Sequence, residues 1–111
     1  MKILIGISGS ISAYKVLDVI SGLKATKNDV KVIMSDTAGD FAPRKAIEAT
    51  TAVYMDDHVG LLKVAHIELT EWADKYIICP ASANTIAKLA HGLADNLLTQ
   101  TALAFTGPKL V

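Results

Sequence analysis

The 111-residue sequence predicts an α/β fold, a parallel sheet covered by helices on both faces. Three observations predict it. Strand-like segments alternate with helical ones, the strand-like segments are continuous apolar runs, and turns of small residues follow three of them. In chain order, "KILIGI" (Lys2 to Ile7) is a short apolar run leading into glycine and serine. "ISAYKVLDVISGLK" follows as a helix, with Ile11, Tyr14, Val16, Leu17, Ile20 and Leu23 largely on one face. "DVKVIM" (Asp29 to Met34) repeats the strand signal, and Ser35, Asp36 and Thr37 after it are helix N-cap types. Pro43 opens a further helix, "RKAIEAT". The segment from Thr51 to Ala65 has weak periodicity around "MDDHVG" and reads as a loop with room for one short strand or turn. "ELTEWADKYIIC" runs from a short helix into a third buried strand, "NTIAKLAHG" and "ADNLLTQTALAF" are helical, and "GPKLV" is a turn entering a fourth strand.

Composition limits what such a fold does. With 51% hydrophobic residues and no repeat, linker or low-complexity stretch, the chain has the makings of one domain with a real core. Eleven Lys and Arg balance eleven Asp and Glu, so no net field recruits nucleic acid or an anionic membrane, and neither is expected as a partner. No apolar run is long enough to cross a bilayer, and the start lacks the pattern of a secretory leader. The single cysteine, Cys79, cannot form an intrachain disulfide. A soluble, cytoplasmic protein with no metal site is the expectation.

In parallel sheets, ligands collect outside the carboxyl ends of the strands. Three such ends share a chemistry here: "GISGSIS", "SDT" and "PASANT" are rich in small or hydroxyl side chains and free of lysine and arginine. Backbone amides at helix starts, with short hydroxyls, hold a phosphate without a cationic side chain. Small residues after Pro80 also let backbone approach a flat or phosphorylated ligand. Each turn alone has a plainer reading. Gly6 and Gly9 do not make the dinucleotide pattern G-x-G-x-x-G, and Ser35, Thr37, Ser82 or Asn84 singly is a cap. Side by side on one sheet edge they favour a nucleotide or flavin phosphate. His66, placed just before an apolar helix, is by itself structural or capping, and His58 and His91 read as surface or structural. Cys79 reads as an inert core residue inside the third strand, and Trp72 as packing.

"GSISAYK", "HIELTEWAD" and "PASANTIAKLAHGLADNLLT" together closely resemble the flavin-dependent cysteine decarboxylases, the family that acts on 4′-phosphopantothenoylcysteine or on the C-terminal cysteine of lantibiotic peptides. The form of the histidine segment is most similar to the pantothenate branch. The resemblance implies a three-layer αβα fold of Rossmann-like or flavodoxin-like type, with residues 1–111 as an FMN-binding domain truncated on its C-terminal side. It implies FMN held by Gly9, Ser10 and Ile11, by Ser35, Asp36 and Thr37, and by Ser82, Ala83, Asn84 and Thr85, with His66 as the active-site histidine. The implied activity is decarboxylation of 4′-phosphopantothenoylcysteine to 4′-phosphopantetheine in coenzyme A biosynthesis, by a homotrimer or higher homo-oligomer. A cysteine carboxylate has no electron sink beside it. Oxidation of the carbon bearing sulfur to a thioaldehyde makes one. The family's substrate-gripping proline–methionine–asparagine segment and its flap cysteine are not present, so complete turnover by these residues alone is not expected. A peptidyl-cysteine decarboxylase and a noncatalytic flavin-binding interaction module are the alternatives. A dinucleotide-binding domain is disfavoured by the absent third glycine.

Overall fold

The computed structural model describes residues 1–56 and 65–111. Five parallel strands form one sheet in the order β3-β2-β1-β4-β5, with β1 Lys2–Ile7, β2 Asp29–Met34, β3 Ala52–Tyr54, β4 Lys75–Ile78 and β5 Lys109–Leu110. The helices are α1 Val16–Ala25, α2 Arg44–Glu48, α3 Ala65–Trp72, α4 Ala83–His91 and α5 Leu97–Ala104. Two 3₁₀ helices, Ile11–Lys15 and Asp36–Asp40, follow β1 and β2 directly. The fourth strand-like run is therefore the fifth strand, because Ala52–Tyr54 adds an edge strand inside the segment that reads as a loop. His58 lies outside the described residues.

The continuous apolar runs are explained by a sheet that is buried on both sides. Side chains alternate across a strand, so Ile3, Ile5 and Ile7 join Val30, Val32 and Met34 on one face, against Val16 and Ile20 of α1 and Ile47 of α2. Leu4, Ile33, Tyr76 and Ile78 form the other core with Leu69 of α3 and Leu97, Leu98 and Ala102 of α5. Gly6 belongs to this second face, where a Cβ would stand 2.8 Å from Tyr76 Oη and 3.2 Å from Leu98 Cδ1. Its missing side chain lets Tyr76 reach across and donate to the Leu98 carbonyl at 2.9 Å. The Tyr76 ring also meets Phe105 edge-on, with centroids 6.1 Å apart.

The first helix corrects the sequence reading. Residues 11–15 are wound as 3₁₀, at about 3.0 residues per turn, so the 3.6-residue face extrapolated from Val16 does not extend back through them. Ile11 and Tyr14 are 79% and 59% exposed, whereas Val16 and Ile20 are buried. Cys79 is also displaced from its expected place. β4 ends at Ile78, and Cys79 is half-buried at the strand's exit, joined to Pro80 by a cis peptide. Trp72 packs as expected, with the Lys31 ammonium 4.5 Å from its ring centroid.

Candidate functional site

The strand order places the three small-residue turns next to one another. β2, β1 and β4 are consecutive in the sheet, so Ser35–Thr37, Ser8–Ile11 and Pro80–Thr85 emerge along one carboxyl edge. Between β1 and β4 the order reverses: one chain path runs outward to β2 and β3, the other to β5. In open parallel sheets, the strand ends at such a reversal are where a crevice forms and ligands usually sit.

Each turn is tied locally and to its neighbour. Ser10 is the N-cap of the first 3₁₀ helix, its Oγ 3.4 Å from the Ser12 amide and 3.0 Å from Ser12 Oγ. Ile11 begins that helix with its side chain in solvent. Gly9 lies against the second turn so closely that a Cβ would stand 2.5 Å from Thr37 Oγ1 and 2.8 Å from Thr37 Cβ. Ser35 is buried, its amide donates to the Ile7 carbonyl at 2.9 Å, and its Oγ lies 3.4 Å from Thr37 Oγ1 without making a cap bond. Asp36 and Thr37 are exposed. In the third turn Ser82 is the N-cap of α4, accepting from the Thr85 amide at 3.2 Å and donating to Thr85 Oγ1 at 3.1 Å. Thr85 is buried, so its hydroxyl is used inside the turn, while Ala83 and Asn84 are exposed. Their amides belong to the first turn of α4, where backbone N–H groups have no intrahelical acceptor.

Ser8 is a residue the sequence reading passed over. It is 1% exposed, and its hydroxyl donates to the Pro80 carbonyl at 2.7 Å while accepting from the Ser82 amide at 2.7 Å. From the sequence it is one more small residue in a small-residue turn; its partners lie 72 and 74 positions away.

His66 lies inside the first turn of α3 rather than before the helix, and is half-buried. The last turn of α3 leads to Asp74, whose amide donates to the Lys2 carbonyl at 2.7 Å at the amino edge of the sheet. An eight-residue helix is about 12 Å long, so the first turn of α3 points back toward the carboxyl edge. α3 packs on α5, whose N-terminus is held at that same edge. There the Leu97 amide donates to Asp56 Oδ1 at 2.7 Å, just past β3. His91 is exposed in the last turn of α4. Among the described residues, no cluster of His, Cys, Asp or Glu could hold a metal ion, and no helix is long and apolar enough to cross a membrane.

Taken chemically, this edge offers backbone amides and short hydroxyls beside an apolar sheet, with no lysine or arginine in the three turns. Such a surface suits a phosphate carried on a flat, uncharged ring system.

Comparison with known proteins gives the same direction. The family model described as Flavoprotein matches residues 1–110. A probable phosphopantothenoylcysteine decarboxylase of Streptococcus mutans is 39% identical over 109 residues, covering 93% of this chain and 60% of its own length. The coenzyme A biosynthesis bifunctional protein CoaBC of Vibrio vulnificus is 37% identical over 114 residues, covering 99% of this chain and 28% of its own. The crystal structure of SpaF, an FMN-dependent cysteine decarboxylase, superposes with a TM-score of 0.86 at 34% identity, covering 98% of this chain and 65% of that one. The chain thus spans between about a quarter and two thirds of the length of these proteins. With the strand order, the small-residue carboxyl edge and a family match over nearly every residue, this chain belongs to the Flavoprotein family.

Proposed function

We propose that this chain is the flavin-binding part of an FMN-dependent decarboxylase that converts 4′-phosphopantothenoylcysteine to 4′-phosphopantetheine in coenzyme A biosynthesis. The observation that carries the reading is the adjacency of the three small-residue turns along β2, β1 and β4. The residues fit the cofactor. Gly9 leaves no side chain between the first two turns, and the start of α4 offers the Ala83 and Asn84 amides to a phosphate or ring carbonyl. Ser10, Ser35, Thr37 and Ser82 add hydroxyls, Ile11 an apolar surface for the ring, and Asp36 and Thr85 complete the second and third turns.

Bound FMN would supply a two-electron acceptor for the carbon bearing sulfur, giving the departing CO₂ the electron sink a cysteine carboxylate lacks, and would return those two electrons after CO₂ has left, so that the conversion carries no net oxidation. For each hydride removed, the thiol must also lose a proton. His66 is assigned that proton transfer, because an imidazole exchanges protons near neutral pH and the first turn of α3 points toward the same edge. The remaining parts of the reading are a cytoplasmic location, a small-molecule substrate and a homotrimer in which the cofactor lies near a subunit interface.

Cofactor choice tests the reading. Full-length protein stripped of ligand and offered FMN and NAD together should take up FMN and turn yellow. Retention of NAD in preference to FMN refutes the flavin assignment, and a monomer on sedimentation that still holds FMN tightly refutes the interface.

A further inference from the structure

At the order reversal the two chain paths leave the sheet on opposite faces. The path from β1 leaves through α1 on one face of the sheet, and the path from β4 leaves through α4 and α5, which pack on the other. The strand ladder between β1 and β4 ends at the Gly6–Ile78 pair, followed by one further bond from the Cys79 amide to the Gly6 carbonyl at 2.9 Å. Beyond that point, Ser8 makes the bonds that join the first and third turns. Its amide and its hydroxyl both donate to the Pro80 carbonyl, at 3.1 and 2.7 Å, and its Oγ accepts from the Ser82 amide at 2.7 Å. Pro80 and Ser82 flank Ala81, so a single side chain grips both peptide groups of that residue.

The grip extends in both directions. Holding the Ser82 amide fixes the residue whose own hydroxyl caps α4 through the Thr85 amide, and so fixes where the Ala83 and Asn84 amides stand. On the other side Ser8 is bonded covalently to Gly9, which lies against Thr37 of the second turn. The three turns are therefore one connected unit, running from Thr37 through Gly9 and Ser8 to Pro80 and Ser82.

We infer that Ser8 is a positioning residue for the cofactor site, setting the spacing between the first and third turns without touching the cofactor. The inference rests on the flavin reading above. The position demands a short hydroxyl that donates and accepts at once in a fully buried space. Alanine removes both side-chain bonds, leaving the Ser82 amide without its partner and the Pro80 carbonyl with the Ser8 amide alone. Threonine keeps the hydroxyl and adds a methyl group.

The test is FMN titration of flavin-free full-length protein, read alongside its thermal unfolding, for wild type, Ser8→Ala, Ser8→Thr and a control, Thr101→Val. Thr101 is a buried hydroxyl that donates to the Leu97 carbonyl at 2.8 Å within α5, so its loss reports what any lost buried hydrogen bond does. Ser8→Ala should weaken FMN binding about 10- to 100-fold. Ser8→Thr should recover most of the affinity, and Thr101→Val should lower the unfolding temperature with FMN affinity unchanged. Wild-type protein that binds FMN while Ser8→Ala binds it equally well overturns the role of Ser8 and leaves the flavin reading standing. A wild type that takes up no FMN overturns both. If Ser8→Ala does not fold, Ser8→Cys keeps the volume and weakens both bonds, and unchanged FMN affinity in that variant overturns the inference equally.

Discussion

Gly9 shows how little room separates the turns. A methyl group there meets Thr37 Oγ1 at 2.5 Å, Thr37 Cβ at 2.8 Å and the Thr37 carbonyl carbon at 3.2 Å, so Gly9→Ala must push the second turn away from the first. Overpacking of this kind costs about 1–3 kcal/mol. Denaturant unfolding of Gly9→Ala should register that loss, and FMN affinity should fall with it; unchanged values would mean that the two turns yield freely. His66 makes a different demand. His66→Asn keeps a hydrogen-bonding side chain but cannot act as an acid or base near neutral pH. FMN binding should survive while CO₂ release per bound flavin falls by roughly a hundred- to ten-thousand-fold. A histidine that only packs against its helix would instead lower stability and leave turnover per folded subunit intact. At this scale, the residues legible in the sequence are those whose chemistry is local: Ser82 caps the helix that it precedes, and glycine sits where the chain must pass closely. Ser8 was not legible, because nothing near it in the sequence says that Pro80 and Ser82 face it.

Elements were legible where they are long or strongly punctuated. β1, β2 and β4 are apolar runs with clear ends, and α4 has a serine cap and the apolar pattern of a surface helix. β3 is the one short strand that the Thr51 to Ala65 reading leaves room for, and its bounds are not legible because three residues at a sheet edge, one exposed and two half-buried, carry no burial pattern. The cap of α5 was also missed. Asn96 accepts from the Thr99 amide at 2.9 Å, and Thr99 Oγ1 accepts from the Asn96 amide at 3.2 Å, a reciprocal pair that fixes the helix start at Leu97, three residues later than the run "ADNLL" implies. Asn96→Ala should cost about 1 kcal/mol in urea unfolding. Tyr76 links β4 to α5 and adds a pH dependence. Burial pushes its pKa well above the ordinary value near 10, so the unfolded chain releases that proton first. Its contribution is fully present below about pH 10 and is lost progressively above it. Tyr76→Phe should therefore unfold more easily at neutral pH, for want of the bond to Leu98, yet lose less stability than wild type as pH rises past about 10. Parallel alkaline slopes for the two proteins would contradict the assignment.

For the whole molecule, the alternation of strands and helices was enough to foresee a parallel sheet, and with it that the three hydroxyl-rich turns share one carboxyl edge. The order of the strands was not, since pairing β1 with β4 brings together Ile3 and Lys75, residues whose separation no local pattern encodes. That pairing brings three separate turns to one edge of the sheet. It also makes the proposed site collective: its turns meet only through the sheet order, with Ser8 bonded to the third turn and Gly9 packed against the second. The most direct measurement is CO₂ release from carboxyl-labelled 4′-phosphopantothenoylcysteine by the full-length protein, first stripped of flavin and then reloaded stepwise with FMN. Release should be absent in the stripped protein and rise in proportion to bound FMN. Release without flavin, or none from fully loaded protein, would contradict the proposal that this fold is the flavin-binding part of a cysteine decarboxylase.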